Sequence, residues 1–308
     1  MNNKKIFVVG SLNMDLVVSA ERMPKSGETI QGSAIRYVPG GKGANQALCC
    51  ARLGSNTTLI GHVGDDLFGK QLVSYLNENG VDTRHVGVRA EAASGIAAIT
   101  HTKEDNSIIV VAGANGLLSA DDVQVLENLL EEGDVVLFQL EVPLATVREA
   151  MRISRSKGAV TLLNPAPYRE LDEGILKAAD YLTPNETELE QLVGQPVGED
   201  SELQEALVRW ESLHAVRLIV TRGARGCAYV ADGQLKTVAP LKVEAVDTVG
   251  AGDAFNGGLA HGLCKGWDLD AAVAFAVRVS SLAVTRFGAQ EGMPTLDEVE
   301  ATMRADGK

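Results

Sequence analysis

The chain has 308 residues, of which 45% are hydrophobic and 22% are charged, as in an ordinary globular protein. Its formal charge is −13, from 28 basic and 41 acidic residues. Because phosphate backbones and anionic lipids attract basic surfaces, this charge argues against a nucleic-acid partner and a membrane partner. Any anionic ligand must be held by local features such as helix N-termini.

Six short apolar runs predict buried β-strands. They are 5–10, 57–64, 135–141, 159–165, 181–185 and 217–223. Most are continuous rather than alternating, which is typical of a parallel sheet covered on both faces. Helical patterns lie between them at 67–79, 119–131, 145–157 and 200–213. No linker divides the chain, so the alternation predicts one open, doubly wound α/β domain over residues 1–308.

Two stretches, 16–41 and 95–113, interrupt this alternation of strands and helices. Both contain partly polar, alternating runs with turn residues, a pattern typical of antiparallel strands. We interpret them as strands that leave the main sheet and form a small second layer, which would act as a lid.

Signals for export or for a zinc site are missing from the sequence. The four cysteines lack C-x-x-C spacing, so we expect reduced, buried thiols. The apolar run near the N-terminus is too short for a signal peptide, and no run reaches the roughly 18 residues of a membrane span. These features predict a cytoplasmic protein.

The first predicted strand leads into GSLNMD, where Asn13 and Asp15 are alternate residues and therefore project from one face. An amide beside a carboxylate suits two neighbouring sugar hydroxyls, because the carboxylate accepts hydrogen bonds and the amide also donates them. A solvated turn would explain the same residues without a ligand.

A glycine-rich stretch, GGKGANQA, begins at Gly40 and leads into a helix predicted at 44–53. Glycines let a backbone approach a ligand closely, and Lys42, Asn45 and the free N–H groups of the helix N-terminus offer donors. The stretch lacks the G-x-x-x-x-G-K-[ST] pattern of a P-loop, and a plain glycine-rich turn is the alternative interpretation.

Two later strand ends carry polar groups that suit a nucleotide. Asn185 and Glu188 follow a strand and could organise water around Mg²⁺, although the same pair could form a helix capping box. The stretch TRGARG could wrap nucleotide phosphates with backbone and hydroxyl donors, or form a simple turn. Its residues are Thr221, Arg222, Gly223, Ala224, Arg225 and Gly226.

The stretch DTVGAGDAF follows a mostly apolar strand predicted at 243–246 and opens a helix, so that Asp253 lies in the first helical turn. The N–H groups of Ala251, Gly252 and Asp253, reached through Gly250, then form an anion hole beside a carboxylate. Phosphoryl transfer requires that pair, with donors for the transferred group and a base near the attacking hydroxyl. An acidic residue favoured only by the helix dipole is the alternative.

These stretches occur in the same order in the PfkB-type carbohydrate kinases, and the chain resembles that family from GSLNMD to AVTRFGAQ at 283–290. The resemblance implies a three-layer α/β/α domain with a small β-sheet lid that often mediates dimerisation, hence a homodimer. It implies transfer of a phosphoryl group from ATP, with Mg²⁺, to the 5-hydroxyl of D-ribose. The rivals are a kinase for deoxyribose, fructose, a sugar acid or a nucleoside, and a non-catalytic binding protein, against which the intact GAGD argues.

The resemblance also implies roles for individual residues, with Asp253 as the catalytic base. The implied sugar contacts are Asp253 itself, Asn13, Asp15, Gly41, Lys42, Gly43, Ala44, Asn45 and Glu141. The implied nucleotide contacts are Asn185, Gly252 and residues 221–226. A monovalent cation such as K⁺ would be held by the Asp247 side chain and by backbone carbonyls of Val249, Ala283, Arg286, Gly288 and Gly292. Phe287 and the EGM segment after Gln290 depart from the family pattern.

Overall fold

The computed structural model describes residues 4–102 and 106–306, which form two sheets with helices around the larger one. The strands, in chain order, are β1 (Ile6–Val9), β2 (Asn13–Ser19), β3 (Ala34–Gly40), β4 (Thr57–Gly64), β5 (Val81–Arg89), β6 (Gly95–His101), β7 (Asn106–Val111), β8 (Val135–Phe138), β9 (Val160–Leu163), β10 (Tyr181–Leu182), β11 (Arg217–Thr221), β12 (Cys227–Ala231) and β13 (Gln234–Val238). The α-helices are α1 (Lys42–Arg52), α2 (Leu67–Glu78), α3 (Leu126–Leu129), α4 (Leu144–Ser156), α5 (Glu173–Ala178), α6 (Glu186–Val193), α7 (Asp200–His214), α8 (Ala251–Cys264), α9 (Leu269–Ala283), α10 (Ala289–Gly292) and α11 (Leu296–Asp306).

The main sheet has nine strands in the order β13-β12-β11-β10-β9-β8-β1-β4-β5. The seven strands from β11 to β5 run parallel, while β12 and β13 extend one edge antiparallel. Alternate residues of β1 enter different cores, since Phe7 and Val9 belong to one buried cluster and Ile6 and Val8 to the other. Helix layers therefore cover both faces, and burying each such side chain contributes about 1.5–3 kcal/mol. The predicted doubly wound α/β fold is confirmed.

The small sheet has four strands in the order β3-β2-β6-β7. Strand β2 pairs antiparallel with β3 and parallel with β6, and β6 pairs antiparallel with β7. Its strands come from the two stretches that interrupt the main alternation. Because β2 follows β1 after three residues and β3 precedes α1 by one, the small sheet joins the main one at the carboxyl ends of the parallel strands, where ligands bind in such sheets.

Two predicted elements are wrong. Residues 243–246 form no strand, because the N–H of Val246 donates to the carbonyl of Val284 instead of joining a sheet. The helix predicted at 119–131 is reduced to Leu126–Leu129, because the N–H groups of Gln124, Leu126 and Glu127 donate to carbonyls three residues back, as in turns, rather than four. Within the described ranges, none of the helices combines the length and the apolar character that crossing a membrane requires.

Candidate active site

The N-terminus of α8 begins at Gly250, whose φ of 81° lies in the left-handed region that favours glycine. The N–H of Ala251 donates to the carbonyl of Thr248 at 3.2 Å, so this donor of the predicted anion hole is already used. The N–H groups of Gly252 and Asp253 follow in the first turn, where a helix supplies no partners of its own. A Cβ on Gly252 would meet no atom within 4 Å. The backbone therefore faces open space beside the Asp253 carboxylate.

Two amide side chains of α1 hold the Asp253 carboxylate, which is 6% exposed. Asn45 Nδ2 donates to Oδ2 at 2.9 Å, and Gln46 Nε2 donates to Oδ1 at 3.0 Å. Gln46 Oε1 in turn accepts a hydrogen bond from Gln139 Nε2 at 2.5 Å. Helix α1 thus fixes the carboxylate at the start of α8 in one orientation.

A second row of buried polar groups supports the first turn of α8. Asn164 Nδ2 donates to the carbonyl of Thr183 at 3.1 Å, and Thr183 Oγ1 donates to Asn256 Oδ1 at 2.6 Å. Asn256 Nδ2 then donates to the carbonyl of Gly252 at 2.8 Å. Four of these polar residues were not predicted from the sequence, namely Asn164, Asn256, Gln46 and Gln139. The available signal was position, since Gln139 and Asn164 directly follow β8 and β9.

The N-terminus of α1 differs from its prediction as a site of free donors. The N–H of Lys42 donates to Glu141, that of Gly43 to Ser11 Oγ, and that of Ala44 to the carbonyl of Ser11. A Cβ on Gly43 would lie 2.5 Å from the backbone nitrogen of Ser11, so close packing against the loop that follows β1 consumes these donors. Side chains of this loop, rather than its N–H groups at 42–44, remain available to a ligand.

Asn13 and Asp15 lie on one face of β2, as predicted. Asn13 is buried, and its Oδ1 accepts a hydrogen bond from Asn115 Nδ2 at 2.8 Å. A Cβ on Gly41, whose φ is 90°, would lie 2.6 Å from the backbone nitrogen of Asn13. A Cβ on Gly40 would lie 2.4 Å from Asp15 Oδ2, so glycine at the end of β3 leaves the space that the Asp15 side chain occupies.

Acidic groups converge at this end of the site. Burial raises the pKa of Asp15 to about 7, the carboxylates of Glu141 and Asp253 add to the effect, and Lys42 opposes it. Glu141 Oε2 accepts a hydrogen bond from Ser11 Oγ at 2.5 Å. Burial lowers the pKa of Lys42, but the surrounding acids, Asp253 first among them, outweigh burial and raise it. Lys42 is therefore a half-buried cation among carboxylates.

A cleft leads away from Asp253 through two adjoining cavities. The larger, of about 680 Å³, is mainly apolar and is the size of a small-molecule site. The smaller, of about 190 Å³, is lined by Asp253, Lys42, Asn185 and Glu188 among others. The residues shared by both linings are Thr221, Thr248, Ala251 and Gly252. An elongated ligand in the larger cavity can therefore reach the carboxylate.

In the part of the chain that the structure describes, neither arginine of TRGARG lines one of these two cavities. Arg222 is buried and pairs with Asp200 at 2.7 Å and with Glu186 at 3.4 Å, while Arg225 pairs with Glu186. Acids on α6 and α7 thus draw both guanidinium groups away from the cleft. The cavity lining of the loop consists of Thr221, Gly223, Ala224 and Gly226.

Asn185 and Glu188 form the capping box that was the alternative interpretation. Asn185 Oδ1 accepts from the N–H of Glu188 at 2.8 Å, and Glu188 Oε2 accepts from the N–H of Asn185 at 2.9 Å. Burial raises the pKa of Glu188. In residues 4–102 and 106–306, no group of three or more His, Cys, Asp or Glu side chains is arranged to hold a metal ion. A single carboxylate with an amide oxygen nevertheless fits Mg²⁺, which keeps water and phosphate ligands.

Five of the six predicted cation ligands form a connected loop. Asp247 accepts hydrogen bonds from the N–H groups of Val249 at 3.0 Å and Gly288 at 2.9 Å. The carbonyl of Gly288 accepts from the N–H of Gly292 at 2.9 Å. A Cβ on Gly292 would lie 2.5 Å from the carbonyl oxygen of Ala283. These contacts bring the residues into one loop, and a carboxylate with backbone carbonyls is a ligand set that fits a weakly hydrated monovalent cation.

The remaining member of that set, Arg286, pairs through its side chain with Glu298. Its neighbour Phe287, which departs from the family pattern, lies under the guanidinium of Arg36 on β3 at 4.6 Å from the ring centroid. Val38 Cγ1 on the same strand would lie 3.7 Å from a Cβ on Gly288. The small sheet therefore rests on the loop that carries the predicted cation ligands.

Comparison with known proteins agrees with this site. The pfkB family carbohydrate kinase pattern matches residues 3–296, and the chain belongs to this family of ATP-dependent sugar kinases. It is 43% identical over 298 residues to the ribokinase of Bacillus subtilis (strain 168), covering 96% of this chain and 98% of the relative. It is 37% identical over 295 residues to the deoxyribokinase of Salmonella typhimurium (strain LT2), covering 95% and 96%. A structure of Arabidopsis thaliana ribokinase complexed with ribose and ATP superposes with a TM-score of 0.90 at 31% identity, covering 98% and 99%. The resemblance derived from the motifs is confirmed.

Proposed function

We propose that the protein transfers the γ-phosphoryl group of ATP to the 5-hydroxyl of D-ribose. The observation that carries this proposal is the Asp253 carboxylate. It is fixed by Asn45 and Gln46 at the N-terminus of α8, where a cleft large enough for a nucleotide meets a second group of acids. Ribokinases among the relatives support ribose as the substrate.

In the proposed reaction Asp253 accepts the proton of the attacking hydroxyl. The N–H groups of Gly252 and Asp253 stabilise the charge that develops on the transferred group. Lys42, the half-buried cation that lines the smaller cavity, offsets the repulsion between phosphate oxygens and the site's own acids. These local donors are needed because the chain as a whole is acidic, and its field opposes an anionic nucleotide.

We assign the apolar cavity to the nucleoside part of ATP and the smaller cavity to its terminal phosphates. In the loop of residues 221–226, Thr221 and the backbone of Gly223 and Gly226 contribute to this binding. Asn185 and Glu188 would hold the water shell of Mg²⁺, which supplies charge neutralisation between the β- and γ-phosphates. Asp247 and the carbonyls connected to it would hold K⁺.

The sugar contacts that we propose are Asn13, Asp15, Glu141 and Asp253. Ribose hydroxyls donating to Asp15 and Glu141 would replace the water that these acids lose on burial. A 2-deoxyribose kinase is the second candidate, because deoxyribokinases are among the relatives. The polar amide of Asn13, buried beside the carboxylates, favours the sugar that has a hydroxyl for it to bond.

We also propose that the small sheet is a lid and the contact surface of a homodimer. Apolar side chains are exposed on both of its faces, with Tyr37 (55%) and Ile109 (66%) on one and Val110 (53%) on the other. Exposed apolar patches and sheet edges of this kind are usually covered by a partner. Sedimentation should give twice the chain mass of 32.5 kDa, and Val110→Lys should shift it towards the single mass. The four buried, free cysteines support a cytoplasmic location.

The test of the activity is ADP release with ribose, 2-deoxyribose, fructose and adenosine as acceptors. We expect ribose to give the highest kcat/KM, and 5-deoxyribose, which lacks the attacked hydroxyl, to give none. If no acceptor stimulates ADP release, the kinase proposal is refuted. If another acceptor exceeds ribose, the substrate assignment is wrong and the reaction class stands.

A further inference from the structure

Asn115 lies behind the sugar site, in a 3-10 helical turn at Gly113–Leu117 that follows β7. It is 1% exposed, and its amide makes three hydrogen bonds. Oδ1 accepts from the N–H of Leu12 at 2.9 Å, while Nδ2 donates to the carbonyl of Leu12 at 2.9 Å and to Asn13 Oδ1 at 2.8 Å. Both polar atoms of the amide are therefore engaged.

The backbone of Leu12 determines which way this amide faces. Its N–H needs an acceptor and its carbonyl needs a donor, so turning the Asn115 amide over would create two mismatches. Because the Nδ2 of Asn115 is fixed in this way, the atom of Asn13 that it meets must be the oxygen. The Asn13 amide then presents its NH₂ group, a donor, on the side away from Asn115.

The absence of a side chain at Gly95 leaves the space in which the amides of Asn115 and Asn13 meet. A Cβ at Gly95 would lie 2.2 Å from Asn115 Nδ2 and 2.2 Å from Asn13 Oδ1. Any larger residue at this first position of β6 would separate the two amides. The contact is thus built from three segments, namely β2, the start of β6 and the turn after β7.

We propose that Asn115 is a positioning residue that fixes Asn13 as a hydrogen-bond donor in the sugar site. This inference rests on the proposed function. Asn13 then donates to the oxygen of a sugar hydroxyl while Asp15, two residues along the same face, accepts from a hydroxyl hydrogen. The pair selects sugars with the hydroxyl that 2-deoxyribose lacks, because a buried donor without its acceptor is costly.

The decisive variant is Asn115→Asp, which keeps the shape and the acceptor for the Leu12 N–H but removes the donor to Asn13, together with the donor to the carbonyl of Leu12. The Asn13 amide then rotates to donate to the new carboxylate and turns its oxygen towards the sugar. We expect kcat/KM for ribose to fall at least about tenfold, and that for 2-deoxyribose to change less than about threefold. The ratio of the two, which a general loss of stability does not change, is the readout.

Two controls separate positioning from support of the fold. In an Asn13→Ala background, adding Asn115→Asp should change the ratio by less than about twofold, because the side chain through which Asn115 acts is gone. Thr146→Val removes the hydrogen bond from Thr146 Oγ1 to the carbonyl of Leu118, just after the same turn. It should lower the melting temperature and leave the ratio unchanged.

If Asn115→Asp does not fold, the unmodified protein still tests the proposal. In protein with ¹⁵N-labelled asparagine, ribose should shift the side-chain NH₂ signals that are missing in Asn13→Ala, and 2-deoxyribose should not. Equal shifts with both sugars, or an unchanged ratio in a folded Asn115→Asp variant, would overturn the inference. A parent protein that forms no ADP with ribose would instead refute the proposed function.

Discussion

Replacing Asp253 with asparagine keeps the shape of the side chain and removes its capacity to accept a proton. In the structure both carboxylate oxygens face amide donors, Nδ2 of Asn45 and Nε2 of Gln46. The new NH₂ group must therefore face one of these donors. Gln46 also contacts Gln139 and Asn164, so turning it would disturb two further hydrogen bonds, whereas Asn45 Oδ1 is buried without a partner among the described residues. Asn45 can turn and accept from the new amide, so we expect the variant to fold.

The expected loss of activity is at least about 10²-fold and up to about 10⁴-fold in kcat, the usual contribution of a general base. Rearrangement of Asn45 adds a stability cost of at most about 1–3 kcal/mol, the range for one mismatched buried polar group. Binding of ribose and of ATP should change only a few-fold, because the cavities and the backbone donors of α8 are unaltered.

The assay is single-turnover phosphoryl transfer measured by rapid quench, with ribose and ATP affinities from calorimetry. Asp15→Asn is the matched control, since it also replaces a buried acid of the site with its amide. It should act mainly through a higher KM for ribose. Turnover of Asp253→Asn within about tenfold of the parent would remove Asp253 from the role of base.

Further predictions concern the anion hole, the pH profile and the cation. Gly252→Val places a side chain in open space, so the protein should keep its melting temperature and lose turnover, and an active variant would mean that the phosphate binds elsewhere. Since burial raises the pKa of Asp15 to about 7, the carboxylate, which accepts from a sugar hydroxyl more strongly than the protonated acid, is lost below that pH, and ribose affinity should fall there by up to about tenfold per pH unit. Asp15→Asn should flatten this pH dependence; an equally steep profile in the variant would assign it to another group. Replacing K⁺ with Li⁺ at constant ionic strength should lower activity and the melting temperature together, and no change in either would discard the cation loop built on Asp247.

The strands were predictable where burial alone decides the pattern. β1 and β8 are continuous apolar runs because helices cover both of their faces, and such runs identify parallel strands from composition. The helix at 119–131 failed because Val123, Leu126 and Leu130 are buried at helical spacing although most of the segment is not helical. Spacing reports which side chains face the core, but it does not distinguish an α-helix from successive turns whose backbone hydrogen bonds span three residues.

The sequence predicted the motifs of the candidate site, but not the hydrogen bonds that orient their side chains. Asp253 and Asn13 were identified because glycine-rich turns and strand ends mark where ligands bind. The partners that orient them were missed, since Gln139 is 93 residues from Gln46 and Asn115 is 102 residues from Asn13. The sequence predicted Arg222 as a nucleotide contact. Its side chain is directed instead by acids of other helices, which no local pattern reveals.

The central position of β1 has a consequence for how the chain acquires its structure. Ile6 at the N-terminal end of β1 pairs with Val135 of β8, and Asn45 meets Asp253 across 208 residues. Contacts between such distant positions close large loops, so they form late and slow folding. During synthesis β1 is made before both of its neighbours, β4 and β8. More than a hundred residues separate β1 from β8, so β1 can pair on both sides only after that stretch has been made. The Asp253 carboxylate meets its amide partners only when α8 has been made, so no N-terminal fragment that ends before α8 can assemble the site.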